Sequence, residues 1–391
     1  MRAFDCGAVP PMSVGAGRLA EVPSIAKGLG GTRMLVVADA ILADLGVTAR
    51  LERALLAAGL GVETAAEVAG EPKDKLVDAL TDRARATGCD LVIGIGGGAA
   101  MDAAKLVAGI ACADEPALHY ALCANPYPAK RLPAIAIPTT AGTGSEVTRT
   151  SIVSTAEGLK YWYWGEELMF AHAVLDPELT VSLPPHITAW TGIDAIAHAL
   201  EAMTSRKSNA VGRLYGLQAL EILADALPRA VAHSSDVETR GRVLWGATVA
   251  GLALHNCNTH MGHNISHALG SLAPVHHGLA TGLALEVTLP WLVERPEGRE
   301  NYAAAAAALG AAGYATSLPS RFEDLMRECG IDRALPAACS GIAPALLSEQ
   351  MQTEANLGMA QNAACDVSVA DLDRAAADML ALAPQEVAAT A

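Results

Sequence analysis

Side chains that can bind metals or carry protons are concentrated in one stretch of the chain. Six of the eleven histidines lie between His255 and His277. Neutral imidazole is the commonest metal ligand in proteins, and it also carries protons near neutral pH. The stretch therefore indicates a metal site or an acid–base site, but its density alone does not say which imidazoles take part.

A second group of candidate ligands lies upstream on a segment with helical spacing. Asp194 and His198 are four residues apart, which places a carboxylate and an imidazole on one helix face. His263 and His267 repeat that spacing, and His277 follows a proline-containing loop. One carboxylate and three imidazoles from three elements would suit a divalent transition metal such as iron or zinc, with a position left open for substrate.

The N-terminal half has the pattern of a parallel α/β sheet. Short apolar runs at 34–38, 91–95 and 133–137 alternate with helical segments, which is typical of buried parallel strands. Residues 94–99 read GIGGGA and fit the G-x-G-x-x-A dinucleotide fingerprint, between a strand and a helix. A second loop of small residues, 139–145, follows the next strand. Two such loops at one sheet edge predict a binding crevice for NAD.

Asp39 ends the first of these strands, where a carboxylate could accept hydrogen bonds from ribose hydroxyls. A negative charge at that position would repel a 2′-phosphate, so it favours NAD over NADP. The alternative role for Asp39 is that of a helix N-cap.

The strand pattern stops at Pro184-Pro185, which predicts a domain boundary. We expect an α/β NAD-binding domain over 1–183 and an all-helical, metal-binding catalytic domain over 184–391. The helices predicted in the second domain begin with 186–203, 209–231, 236–256, 259–270 and 278–294.

Composition narrows the function classes. The net charge is −15 with both signs interspersed, which argues against a nucleic-acid partner. No apolar run approaches the roughly 18 residues of a membrane span. The eight cysteines are scattered without a CxxC motif, as expected for reduced thiols in a cytoplasmic protein.

Four separated motifs together resemble the iron-containing (group III) alcohol dehydrogenases over about residues 5 to 385. The resemblance implies an α/β N-terminal dinucleotide-binding domain with a parallel sheet and an all-α C-terminal domain, an architecture shared with dehydroquinate synthase. The motifs are GIGGGAAMDAAK at 94–105, PTTAGTGSEVT at 138–148, DPELTVSLPP through DAIAHALEA at 176–202, and GHNISHALGSLAPVHHGLA at 262–280.

This resemblance implies a metal-dependent, NAD-linked alcohol dehydrogenase. Its reaction would be reversible hydride transfer between a small alcohol and its aldehyde or ketone, with the metal polarising the substrate oxygen. The implied cofactors are NAD and a divalent metal, with Fe²⁺ expected and Zn²⁺ as the alternative. The implied partners are the small-molecule substrate and further copies of the chain, in a homodimer or higher homo-oligomer.

The resemblance also assigns roles to individual residues. The metal ligands would be Asp194, His198, His263 and His277. His267 matches the family's second, non-ligand histidine beside the nicotinamide, and we expect it to relay the alcohol proton. The implied cofactor contacts are Asp39, Gly97, Gly98, Asp102, Thr139, Thr140, Thr143, Ser145 and Lys160.

Some residues depart from the family pattern. Ala99 stands where many members have Ser, and His276 stands where Pro is common. His260 is an additional imidazole with no assigned role. The run Tyr161-Trp162-Tyr163-Trp164 could line a substrate pocket as an aromatic cage, or it could serve core packing or a subunit contact.

Three other functions stay open from the sequence. The first is a metal-independent enzyme like the maleylacetate reductases, which lack a complete ligand set. The second is the glycerol dehydrogenase and dehydroquinate synthase branch, which binds zinc and NAD but differs in the motif at 138–146. The third is a non-catalytic metal- or nucleotide-binding protein.

Overall fold

The computed structural model describes residues 3–384, which form two compact units. The α/β unit comprises Ala8–Leu183 and Ser235–Thr248. The helical unit comprises residues 3–7, Pro184–Ser234 and residues 249–384. The sequence pattern placed all of 184–391 in the helical domain, whereas Ser235–Thr248 belongs with the α/β unit. That stretch has the same helical pattern as its surroundings, and a pattern does not show which core a helix packs against.

The strands of the α/β unit are β1 (Met12–Val14), β2 (Arg33–Asp39), β3 (Gly61–Val68), β4 (Leu91–Gly96), β5 (Ala134–Pro138), β6 (Thr150–Ser154), β7 (Lys160–Trp164) and β8 (His172–Leu175). Six of them form a parallel sheet in the order β1-β8-β5-β4-β2-β3, and β6 and β7 form a separate antiparallel pair.

The central strands are apolar at successive positions because both faces of the sheet are covered. In β2, Leu35 and Val37 belong to one buried cluster, whereas Met34, Val36 and Ala38 belong to another. Side chains alternate between the two faces of a strand, so each cluster lies on one face of the sheet. This double burial accounts for the continuous apolar runs in the sequence.

Five helices accompany the sheet: α1 (Val22–Gly28), α2 (Ile41–Asp44), α3 (Val47–Ala57), α4 (Asp74–Thr87) and α5 (Gly98–Ile110). α2 and α3 are separate helices, because Gly46 between them adopts a left-handed conformation with φ of 71°. α4 ends at Gly88, which has φ of 68° as expected for a glycine C-cap.

The remaining helices are α6 (Pro185–Thr204), α7 (Ala210–Ala232), α8 (Val237–Cys257), α9 (Met261–Leu272), α10 (His277–Leu292), α11 (Arg299–Ala308), α12 (Leu318–Glu328), α13 (Pro344–Met351), α14 (Glu354–Ala360) and α15 (Val369–Leu380). Short 3₁₀ turns occupy Arg18–Glu21, Ala117–Cys123, Ser145–Val147, Glu166–Leu168, Pro177–Thr180, Ala315–Ser317 and Ala337–Cys339.

Helix α6 lies in the middle of the helical unit and is buried along most of its length. A helix that is apolar on all sides is buried on all sides, so its few ionisable side chains need partners inside the protein. Within residues 3–384, no helix is both long enough and apolar enough to cross a membrane. All eight cysteines are free thiols.

Candidate metal centre and cofactor loops

Three helices bring the predicted metal ligands together. Asp194 and His198 lie one turn apart on α6, His263 lies in the first turn of α9, and His277 is the first residue of α10. Asp194 Oδ1 is 3.7 Å from His263 Nε2 and 3.5 Å from His277 Nε2. One ligand atom from each of these three residues lies within 4.8 Å of the other two.

His198 adjoins the same cluster. Its Nδ1 is 3.9 Å from Asp194 Oδ2, and its ring stacks on that of His263 with centroids 4.5 Å apart. The structure therefore brings all four predicted ligands together in the helical unit, with Asp194, His198 and His263 buried and His277 partly exposed.

The residues of this group fit a divalent metal. Asp194 Oδ1 and His263 Nε2 are buried and have no hydrogen-bond partner, although an unpaired buried polar atom is costly. Burial acts to raise the pKa of Asp194, but the nearby imidazoles, His198 first and then His277, lower it overall. An ionised carboxylate with imidazole nitrogens is a donor set suited to iron or zinc.

A buried glutamate behind the cluster was not foreseen from the sequence. Glu201 Oε2 accepts a hydrogen bond of 2.5 Å from His263 Nδ1, and Oε1 accepts one of 2.5 Å from the backbone N–H of Gly262. Burial acts to raise the pKa of Glu201, but His260, His263 and the backbone donors outweigh it and lower the pKa to about 2. The signal in the sequence was the i, i+7 spacing from Asp194, on the same face of α6.

The other histidines of the stretch take different places. The ring of His267 packs edge-on against that of His277, with centroids 5.2 Å apart, and it is partly exposed. His260 is fully buried, and its Nε2 is 2.9 Å from Thr204 Oγ1. His276 packs against Trp190, with ring centroids 5.0 Å apart.

In the α/β unit, the glycine loop joins β4 to α5 and contacts Asp39 at the end of the neighbouring strand β2. The backbone N–H of Gly97 donates a 2.7 Å hydrogen bond to Asp39 Oδ2. Burial raises the pKa of Asp39, and the Gly97 hydrogen bond only partly offsets this rise. A Cβ on Gly96 would lie 2.5 Å from Asp39 Oδ2, so only glycine allows this close approach.

The second loop of small residues lies directly against the first. The N–H of Thr139 donates to Gly96 O at 2.8 Å. A Cβ on Gly97 would meet Thr140 Cγ2 at 3.5 Å, and one on Gly98 would meet Thr143 Cγ2 at 2.7 Å. The two loops thus share one edge of the sheet, as the sequence predicted for a dinucleotide site.

Asp102 connects α5 to the segment after the second loop. Ser145 Oγ donates to Asp102 Oδ1 at 2.6 Å, and Ile152 N donates to Asp102 Oδ2 at 2.8 Å. The buried Lys105 Nζ donates to Thr150 O at 2.6 Å. In this arrangement, Asp102 and Ser145 bond to each other and fix the shape of the loop.

Lys160 and the aromatic run lie on β7. The ammonium of Lys160 pairs with Glu71, on the loop after β3. Tyr163 is fully buried in the core. Trp164 is 44% exposed, with the guanidinium of Arg149 4.2 Å above its ring. Core packing explains the presence of Tyr163. An aromatic cage formed by Tyr161, Trp162 and Trp164 stays a prediction.

These two sets of residues are the components of a metal-dependent oxidoreductase that uses a nicotinamide dinucleotide. One unit carries glycine and threonine loops at the carboxyl ends of parallel strands, and the other carries a buried carboxylate with imidazoles.

Comparison with known proteins gives the family. Residues 10–177 match the family model of iron-containing alcohol dehydrogenase. Residues 188–370 match the model of the C-terminal region of the Fe-containing alcohol dehydrogenase family. The chain belongs to the iron-containing alcohol dehydrogenase family.

Individual relatives agree with this placement. A sulfoacetaldehyde reductase of Bilophila wadsworthia is 34% identical over 280 residues, which are 71% of each chain. An NAD-dependent methanol dehydrogenase of Bacillus methanolicus is 32% identical over 277 residues, covering 70% of this chain and 72% of the relative. The crystal structure of a sulfoacetaldehyde reductase from Bifidobacterium kashiwanohense in complex with NAD⁺ is 28% identical, with a TM-score of 0.87 over 97% of this chain and 99% of that one.

The predicted fold class and the predicted enzyme class are confirmed. The protein is an NAD-linked alcohol dehydrogenase that acts on the CH–OH group and uses a divalent metal. The metal-independent and non-catalytic alternatives are less well supported, because the relatives are named as dehydrogenases and reductases and the ligand cluster is compatible with a metal.

Proposed function

We propose that the enzyme interconverts small alcohols and their aldehydes or ketones at a centre held by Asp194, His198, His263 and His277. The observation that carries this proposal is the pair of buried, unpartnered atoms, Asp194 Oδ1 and His263 Nε2, which lie 3.7 Å apart beside His277 Nε2. In an apolar helical core, such atoms are expected to face a bound cation.

The chemistry divides between the bound groups and the chain. When bound, the divalent metal supplies Lewis acidity and NAD supplies the hydride acceptor. Asp194 contributes the one negative charge of the proposed ligand set. The surrounding helices exclude water from its carboxylate. In the α/β unit, the N–H groups at the start of α5 are available to a pyrophosphate, and Asp39 is available to the ribose hydroxyls.

His267 is the proposed carrier of the alcohol proton. Its ring touches that of His277 but is partly exposed, so a proton taken up at an imidazole nitrogen can pass on to water. We expect His267→Ala to lower kcat while the metal content stays normal. His233 is exposed, so His233→Ala serves as the control for the loss of a histidine. Loss of metal from His267→Ala would show that His267 is a ligand and would refute the relay.

The substrate class rests on the relatives. Their names specify sulfoacetaldehyde and methanol, so we propose that this enzyme also takes a small alcohol or aldehyde. The test combines metal analysis of the purified protein with a panel of alcohols and aldehydes, followed by NADH absorbance. A protein that contains a stoichiometric metal but turns over no member of the panel would contradict the proposal.

The cellular setting is also proposed. Eight free thiols suit a reducing compartment, which supports action in the cytoplasm. We further propose a homodimer or a higher homo-oligomer, in keeping with the family resemblance. Light scattering coupled to size-exclusion chromatography would test the assembly, and a mass of 40.1 kDa in solution would refute it.

A further inference from the structure

We propose that Glu201 is a positioning residue of the metal centre, which holds the ligand His263 in the orientation and tautomer needed for coordination. The inference rests on the proposed metal centre and adds a residue that supports it from behind. Glu201 lies on α6, the helix that also carries Asp194 and His198.

The hydrogen bond to Glu201 determines which nitrogen of His263 carries the proton. Both oxygens of Glu201 already accept backbone N–H groups, Oε1 from Gly262 and Oε2 from His260, so the carboxyl group acts as an acceptor and His263 Nδ1 is the donor in the 2.5 Å contact. In a neutral imidazole, the lone pair is then on Nε2. That nitrogen is the one that faces Asp194 Oδ1 and has no hydrogen-bond partner. Glu201 therefore selects the tautomer that can bind a metal.

The same carboxylate also fixes the start of α9. The first backbone N–H groups of a helix have no partner within the helix, and the side chain of His260 at the N-cap position supplies none. Glu201 accepts from Gly262 N at 2.5 Å and from His260 N at 3.2 Å. The negative charge also interacts favourably with the helix dipole. Because α6 carries this cap, the helix that presents His263 is held directly on the helix that presents two other ligands.

Gly262 makes this close approach possible. A Cβ at that position would lie 3.1 Å from Glu201 Oε1 and 3.0 Å from Leu285 Cγ, which is tighter than almost all such contacts. A larger residue would require the Glu201 or Leu285 side chain, or the start of α9, to shift by a few tenths of an ångström.

A second branch of the network runs from Glu201 through His260 to Thr204, and its outer end provides a control. His260 Nδ1 is 3.3 Å from Glu201 Oε1, and His260 Nε2 is 2.9 Å from Thr204 Oγ1. Thr204 is buried on α6, three residues after Glu201. Thr204→Val keeps the shape of the side chain and removes this hydrogen bond together with the one that Thr204 Oγ1 donates to Leu200 O, while both partners of the contact between Glu201 and His263 are retained.

The decisive variant is Glu201→Gln, which keeps the size of the side chain. The amide has one acceptor oxygen and one donor nitrogen, so it cannot accept from both Gly262 N and His263 Nδ1 as the carboxylate does. Removal of such supporting partners typically weakens metal binding by about 10- to 100-fold. We expect a loss of that size in the affinity of the apoprotein for Co²⁺, measured by competition with a chelator, together with a changed visible absorption spectrum of the bound cobalt.

Thr204→Val is expected to lower the melting temperature but to bind Co²⁺ with the wild-type affinity and spectrum. Wild-type binding by Glu201→Gln would overturn the inference, and so would an equal loss in Thr204→Val, because that would indicate general loosening. If Glu201→Gln does not fold, Glu201→Asp, which withdraws the carboxylate by one methylene, is measured with the same expectation. A wild-type protein that takes up no divalent ion would overturn the proposed function and this inference together.

Discussion

Thr248→Val is predicted to destabilise the α/β unit through a carboxylate directly after the second loop of small residues. Thr248 is fully buried on α8, in the part of that helix that belongs to the α/β unit. Its hydroxyl donates a 2.6 Å hydrogen bond to Oε1 of Glu146, which is itself only 2% exposed. Valine has almost the same shape, so the change removes the hydrogen bond without creating a cavity.

The size of the effect follows from what the carboxylate loses. Burial raises the pKa of Glu146, and the hydrogen bond from Thr248 is the largest of the interactions that oppose this rise. Hydrogen bonds to charged groups contribute about 1.5 to 3 kcal/mol, and a buried acceptor left without a partner costs a similar amount. We therefore expect the free energy of unfolding to fall by about 2 kcal/mol at a pH above the folded-state pKa of Glu146.

The effect should depend on pH in a defined direction. Because the folded-state pKa of Glu146 is raised, the folded state holds a proton that the unfolded state has already lost, and this group lowers stability as pH rises above 4.5. Losing the Thr248 hydrogen bond raises that pKa further. The stability difference between wild type and Thr248→Val should therefore be largest above the folded-state pKa and should narrow as Glu146 becomes protonated in both proteins.

Urea unfolding followed by circular dichroism at pH 5 to 8 would measure this difference. Thr288→Val is the matched control, because Thr288 is equally buried and helical but its hydroxyl bonds only to carbonyls of its own helix, with Ala284 O at 2.7 Å. The KM for NAD should rise in Thr248→Val, since Glu146 adjoins Ser145. Equal stability losses in the two variants above the folded-state pKa of Glu146 would refute the reasoning.

Three further predictions concern the cofactors. Asp39→Asn keeps an acceptor for Gly97 N but removes the charge, so the ratio of kcat/KM for NADP to that for NAD should rise about tenfold or more, equivalent to about 1.4 kcal/mol; an unchanged ratio would contradict the role of Asp39. Gly98→Ala places a Cβ 2.7 Å from Thr143 Cγ2, so the KM for NAD should rise while the metal content stays normal. An unchanged KM would show that the close approach of Gly98 and Thr143 plays no part in cofactor binding. Removal of the metal with a chelator should abolish turnover, and Fe²⁺ or Zn²⁺ should restore it; full activity of the metal-free protein would refute a metal-dependent reaction.

The central strands could be predicted from sequence because burial on both faces makes them apolar at every position. The expected runs at 34–38, 91–95 and 133–137 fall within β2, β4 and β5 or extend one residue beyond them. β1 has only three residues and β8 only four, too few for a period to be recognised. β1 exists because Met12–Val14 pairs with Ala173–Leu175, a partner about 160 residues away that no local pattern indicates.

The grouping of the proposed ligands could be expected for a different reason. The i, i+4 spacing of Asp194 and His198 is a property of one helix and needs no knowledge of the fold. The convergence of His263 and His277 on Asp194 depends on how α6, α9 and α10 pack together, and only the family resemblance supplied that information. By contrast, the partners of Lys160 were not foreseen, because its ion pair with Glu71 depends on the packing of β7 against the loop after β3.

The role proposed for Glu201 could not be predicted from the spacing of residues along α6. Its position on α6 puts it on the same face as Asp194, but a glutamate one turn beyond a ligand pair could equally be a ligand, a surface residue or a cap. Its role is determined by the N-terminus of α9, some 60 residues later, where free N–H groups and His263 Nδ1 all need an acceptor. One sign of this requirement in the sequence is Gly262, directly before His263, where a Cβ would lie 3.1 Å from Glu201 Oε1. An acid one turn beyond a ligand pair, combined with a glycine directly before a distant ligand histidine, is therefore a pattern that would point to such a positioning residue in other chains.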